Sequence, residues 1–298
     1  MPKAVDLFAG AGGLSLGLYL AGIDVVGAIE NDKNACKTYR YNLGNHIIEE
    51  DINLCSPEEL ENFIINNGSI QSKSEIDIIA GGPPCPGFSN IGRSKILSLI
   101  KKGIWEGSET RHSFINDKRN ILFRQFIKYV DFFKPKIFLM ENVSGMNSFS
   151  LENQPVVEVI KNEFQAIGYK VEEKILIASE YGVPQSRKRI FFIGHLPNQE
   201  KPIWPLKKDF EINSRDAICD LPDSWETLIP PSNPRLLPLD KISKPRSEHR
   251  SFLKKMRETK PPVNGNLKHM HINLHRSRIV NPRDVGVFPL LKSGEFGK

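Results

Sequence analysis

Short apolar runs alternate with amphipathic stretches along the first two-thirds of the chain. Residues 4–9 read as a strand, and 14–21 as a helix with Leu14, Leu18 and Ala21 on one face. Residues 24–29 form a second strand ending at Glu30, 34–41 a helix, and 47–52 a short strand carrying Asp51. A helix follows at 57–65 with Pro57 near its start, then a buried strand at 76–80 rich in isoleucine. An amphipathic helix at 121–133 precedes a strand at 136–140, which ends at Glu141-Asn142-Val143. A helix at 155–167 and strands at 174–178 and 189–195 complete the series. Strands alternating with helices predict an α/β fold, a doubly wound and mostly parallel sheet of the Rossmann-like kind, over residues 1–196.

Two segments break the pattern. Residues 89–120 are polar, with Gly92, Gly103 and Gly107, and are too long for a passive connection in a compact domain; they read as a functional loop. After residue 196 the periodicity fades and more than half of the 21 prolines occur. Residues 197–298 therefore read as an irregular C-terminal extension, a Pro-rich linker leading into a small lobe. A short helix is expected at 215–221 and a basic one near 250–258.

The turn Gly10-Ala11-Gly12-Gly13 lies between the first strand and the first helix, and Glu30 closes the second strand. Glycines let a backbone approach a ligand, and a strand-end acid can accept hydrogen bonds from ribose hydroxyls. The spelling Gly-x-Gly-Gly departs from Gly-x-Gly-x-x-Gly. It leaves open a dinucleotide, a nucleoside ligand without phosphates such as S-adenosylmethionine, or a simple tight turn. Cys85 follows the strand 76–80 directly after Gly81-Gly82-Pro83-Pro84, where regular structure must stop. A thiol on a stiff turn at the carboxyl end of a buried strand is a candidate nucleophile; a small buried Cys is the alternative.

Composition narrows the class. The 298 residues are 39% hydrophobic and 26% charged, ordinary for a globular chain. No run reaches about 18 apolar residues, so no membrane span is expected. No secretory leader is expected from the opening residues, and four Cys at 36, 55, 85 and 219 form neither a metal pattern nor a disulfide framework. A reducing, cytoplasmic setting and no metal site are expected. A net charge of +6 permits an anionic partner without requiring one.

The ordered motifs resemble the DNA cytosine-5 methyltransferases. Asp6-Leu-Phe-Ala-Gly-Ala-Gly-Gly13 is similar to the family's first cofactor motif, and Glu30 and Asp51 to its two strand-end acids. Gly81-Gly-Pro-Pro-Cys-Pro-Gly-Phe-Ser89 resembles the nucleophile loop, Glu141-Asn-Val143 the catalytic acid motif, and Gln185-Ser-Arg-Lys-Arg189 the arginine motif. Arg215-Asp-Ala-Ile-Cys-Asp-Leu-Pro222 is similar to a segment that often follows, so the likeness covers about residues 4–222.

The resemblance implies methyl transfer from S-adenosylmethionine to carbon 5 of a flipped-out cytosine in duplex DNA, as in restriction-modification. Cys85 would be the nucleophile. Glu141, with a pKa raised by burial, would donate to the base, and Arg187 and Arg189, sharing one strand face, would position it. Phe8 would stack on adenine, Ala9, Gly10, Gly12 and Gly13 would form the turn beside the methionine part, and Glu30 would hold the ribose. Asp51 and Ile52 would meet the adenine edge, while Gly82 and Pro84 would line the pocket. Arg93, Lys95 and Lys101 in the loop would meet phosphates. A tRNA cytosine-5 methyltransferase of the same fold is the alternative.

Two departures stand out. Pro86 occupies the position where the family usually has Gln. The family's target-recognition region and closing Ile-Gly-Asn-Ala-Val type motif are not found after residue 222. That reads as a truncated or split member; a subunit inactive until a second polypeptide supplies the missing region is a further alternative.

Overall fold

The computed structural model describes residues 1–84, 122–151, 154–213 and 217, together with the strand pair Leu237–Pro238 and His271–Ile272. The chain divides into two compact units, the first holding Met1–Glu211 and the second beginning at Ile212. In the second, Leu237–Pro238 and His271–Ile272 pair antiparallel. Cys85, the loop expected at 89–120 and the helix expected at 250–258 lie outside the described residues, as does the helix at 215–221 except for Ala217.

The first unit is built on a seven-stranded sheet. Its strands are β1 (Lys3–Leu7), β2 (Asp24–Glu30), β3 (Ile47–Glu49), β4 (Ile76–Gly81), β5 (Ile137–Val143), β6 (Lys170–Ile177) and β7 (Lys188–His195). Their order is β3-β2-β1-β4-β5-β7-β6. The first five pair in parallel, whereas β7 runs antiparallel to both β5 and β6. The order reverses between β1 and β4, which opens a crevice at their carboxyl ends. The helices are α1 (Gly13–Leu20), α2 (Lys33–Leu43), α3 (Pro57–Asn66), α4 (Phe123–Phe133) and α5 (Val156–Ala166).

Local chemistry explains the boundaries. Ser56 and Glu59 make a reciprocal capping box at the start of α3, with Pro57 in its first turn. Asp32 caps α2 by accepting from the Asn34 and Ala35 N–H groups. β3 is shorter than expected and stops at Glu49. Asp51 Oδ1 accepts from the Asn53 N–H at 2.9 Å, and the Leu54 and Cys55 N–H groups turn back onto the Asp51 carbonyl. An Asx-type turn thus competes with the strand ladder and wins.

The core on one face of the sheet is aromatic. Phe138 of β5 stacks on Phe164 of α5 with ring centroids 3.9 Å apart, and Phe126 of α4 meets both rings edge-on. Gly194 of β7 leaves room for Phe138, whose ring a Cβ there would strike. Such buried aromatics give the sheet a stiff base, so groups at its carboxyl end are held with little freedom. No helix among the described residues is long and apolar enough to cross a membrane.

Candidate active site

A cavity of about 850 Å³ opens at the carboxyl ends of the central strands. Phe8 from the end of β1, Glu30 from β2, Asp51 and Ile52 from the turn after β3, and Gly82 and Pro84 after β4 all line it. These six were singled out in the sequence. Ala9, Gly10, Gly12 and Gly13 are not among the wall residues; they make the turn next to it. Asn31, Glu50, Leu122, Arg124 and Gln125 also line the cavity and were missed. Leu122 and Gln125 sit three apart at the start of α4, one helical face, and only the fold brings that face to the cavity.

The walls are shaped by unusual backbone. Phe8 has φ +61°, a left-handed conformation that costs a bulky residue on the order of 1–2 kcal/mol. The hydrogen bond from the Ala9 N–H to the Ile29 carbonyl helps hold it, at 3.0 Å. Gly12 has φ +91°, and a Cβ there would run into Leu43 and Tyr39. Only glycine satisfies both demands. Glu30 ties the turn down: its Oε2 accepts from the Gly10 N–H at 2.8 Å, and its Oε1 from the Asn31 and Asp32 N–H groups.

Behind the turn lies a buried polar chain. Ser15 Oγ donates to Asp6 Oδ2 at 2.5 Å, and Ser15 also meets the Tyr39 hydroxyl, which contacts His46 Nε2 at 2.9 Å. Asp6 is wholly buried, and its Oδ1 has no partner. Burial pushes its pKa up to about 7, opposed by the Ser15 bonds and aided by the Glu30 charge.

A second group of residues adjoins the cavity at Gly82. A Cβ on Gly82 would sit 3.2 Å from Glu141 Oε2 on β5. Arg189 of β7 closes on Glu141 with Nε 2.7 Å from Oε1. That N–H is not aimed at the oxygen, and Arg189 Nε makes no hydrogen bond, so the contact is an ion pair. Burial lowers the Arg189 pKa, and the Glu141 carboxylate opposes this.

Two expectations are corrected here. Glu141 is not an isolated buried acid: its side chain is 29% exposed and paired with a guanidinium. Arg187 does not lie on the strand with Arg189. The strand begins at Lys188, and Arg187 is exposed on the preceding turn, its carbonyl accepting from the Ala178 N–H. Its charge still reaches Arg189, whose pKa it lowers further. Among the described residues, no group of three or more His, Cys, Asp or Glu is placed to hold a metal.

Sequence reading placed Asn142 in the motif Glu141-Asn142-Val143 and gave it no role of its own. It is 2% exposed, its Nδ2 donates to the Pro83 carbonyl at 3.1 Å, and its Oδ1 accepts from the Val143 N–H. Its neighbour Glu141 drew attention as a charge, whereas an amide inside a strand carries no such signal.

The C-5 cytosine-specific DNA methylase family model matches residues 2–285, continuing well past residue 222, where the motif reading stopped. The type II methyltransferase M.DdeI of Desulfomicrobium norvegicum is 40% identical over 226 residues, 73% of this chain and 48% of that protein. M1.HphI of Haemophilus parahaemolyticus is 36% identical over 220 residues, 73% of this chain and 52% of that protein. The chain thus spans about half the length of the curated relatives it matches. The crystal structure of a candidate DNA modification methyltransferase from an E. coli prophage superposes with a TM-score of 0.65 at 29% identity, over 86% of this chain and 64% of that one. With most of its length matched to one family model, the chain belongs to the C-5 cytosine-specific DNA methylase family.

Proposed function

We propose that the protein transfers a methyl group from S-adenosylmethionine to carbon 5 of cytosine in duplex DNA, with Cys85 as the covalent nucleophile. One observation carries the reading. Gly82 both lines the large cavity and abuts Glu141, and the chain runs from it through two prolines to Cys85.

The cavity suits the cofactor. Glu30, Glu50 and Asp51 give it acidic walls that favour a cationic ligand, and Phe8 and Ile52 supply apolar surface for a purine. Glu30 would take the ribose hydroxyls, and Asp51 the adenine amino group. Bound there, S-adenosylmethionine supplies an electrophilic methyl group.

The remaining chemistry belongs to the protein and the base. The Cys85 thiolate adds to carbon 6 of an extruded cytosine, forming an S–C bond and moving an electron pair toward carbon 5. Carbon 5 takes the methyl group as the donor's sulfur–methyl bond breaks. Removal of the carbon 5 proton to a base then expels the thiolate, and the ring is restored. Glu141 would hydrogen-bond the ring edge as charge develops at N3. Arg189 would hold Glu141 in place, and Arg187 would meet the base or its backbone. The names of both relatives favour a modification enzyme of a restriction system.

The test is direct. Duplex DNA containing 5-fluorocytosine lacks the proton that the last step removes, so the wild type stalls as a covalent complex. Cys85→Ser forms none and transfers no methyl group. Peptide mapping that finds no adduct at Cys85 removes the mechanism. Turnover by the purified chain alone would show that it needs no second polypeptide.

A further inference from the structure

We propose that Asn142 is a positioning residue for the nucleophile: its buried amide clamps the Pro83 carbonyl and so fixes where the chain delivers Cys85. The inference rests on Cys85 acting as read above.

The turn after β4 is poor in ways to hold itself. Pro83 and Pro84 have no N–H, so neither can donate to the sheet or across the turn. Their rings fix φ at two positions but leave the direction of the peptide planes to outside contacts. β4 and β5 are paired in parallel up to Gly81 and Met140, and the ladder between them goes no further. Asn142, two residues on along β5, carries the connection past that point with a side chain. Its Nδ2 reaches the Pro83 carbonyl at 3.1 Å.

The amide is itself held. Its Oδ1 is bonded to the Val143 N–H at 2.8 Å, which sets the side-chain rotation and leaves the NH2 directed at Pro83. β5 is an interior strand, flanked by β4 and β7, so the clamp is anchored in a stiff part of the sheet. Asn142 follows Glu141 on that strand, so the proposed acid and the clamp on Pro83 share one mount. A shift of about 1 Å in a reacting group costs on the order of 100-fold in rate. A bond that holds the carbonyl two residues before Cys85 acts on that scale.

An alternative is that Asn142 merely satisfies a buried carbonyl, a role that would show in stability and spare the rate. Three variants of the purified protein separate the two: Asn142→Leu, Asn142→Asp and, as reference, Cys85→Ser. Calorimetry gives the S-adenosylmethionine affinity, and transfer to duplex DNA gives kcat and KM. Rapid quench with 5-fluorocytosine DNA gives the rate of adduct formation at Cys85.

With Asn142→Leu we expect kcat and the adduct rate to fall about 100-fold while cofactor affinity stays within threefold of wild type. Asn142→Asp keeps the shape and can donate only while the new carboxyl holds its proton. Its adduct rate should therefore fall as pH rises through that titration, a slope absent from wild type; Glu141 and Arg189 are present in both proteins and cancel. An Asn142→Leu protein that folds, binds cofactor and forms adduct within threefold of wild type overturns the proposal. So does an Asn142→Asp protein whose pH profile matches wild type, and this arm stands even if Asn142→Leu does not fold. A wild type that forms no adduct overturns the reading of Cys85 itself, and that failure is visible before any Asn142 variant is compared.

Discussion

Asp6 has one carboxylate oxygen bonded to Ser15 and one with no partner, in a site without solvent. Its pKa rises from 3.8 to about 7 on folding. Between those values the folded protein binds the extra proton, so stability falls as pH rises from about 4 to about 7 and is flat above. The decline amounts to a few kcal/mol, up to about 4 by the size of the shift. Asp6→Asn reproduces the protonated carboxyl and cannot ionise. Urea unfolding across pH 4–8 should lose most of its slope in this variant, with the largest gain near pH 8; an unchanged slope would mean that Asp6 does not titrate in this range. Glu30 shows the opposite economy. Three backbone N–H groups already occupy its oxygens, so its position is set before any ribose arrives. Glu30→Gln turns an amide NH2 toward at least one of those N–H groups. Calorimetry should show cofactor affinity reduced more than tenfold, with about 1–3 kcal/mol lost in unfolding. Both roles are invisible in sequence. An Asp late in β1 and a Glu at the end of β2 read as a motif, but which N–H groups surround them depends on how α1 and α2 return to the sheet.

At the scale of elements, the sequence told more. The isoleucine run of β4 marked a buried strand, and Pro57 marked the start of α3. What pattern could not give was direction and partner. β6 and β7 look like the earlier strands, yet β7 enters the sheet antiparallel, between β5 and β6. That insertion brings Arg189 against Glu141, far off in the chain, and brings Gly194 over Phe138. Boundaries failed where side chains compete with the ladder, as at Asp51. Gly194→Ala tests how tightly the inserted strand is seated. Phe138 is pinned between Phe126 and Phe164 and has no room to give. The variant should lose about 1–3 kcal/mol in chemical denaturation; a loss under about 0.5 kcal/mol would show that the aromatic layer can shift.

At the scale of the molecule, the cavity joins segments that are distant in sequence: residue 8, residues 29–31, 50–53, 82–84 and 122–125. A ligand that touches all of them binds the folded state and not the unfolded chain, so it must raise the stability of the first unit as a whole. At a hundred times its dissociation constant it adds about 2.7 kcal/mol. For a unit of this size that is a rise in unfolding midpoint of roughly 5–10 °C. Asp51→Ala removes a wall group and should cut the shift by more than half. Cys85→Ser should keep it whole, because the proposed partner of the thiol is the base and not the cofactor. Thermal scans with and without S-adenosylmethionine therefore separate binding from chemistry in two variants of one protein. If Cys85→Ser abolishes the shift, the sulfur belongs to the cofactor site, and the division of labour between cavity and nucleophile has to be redrawn.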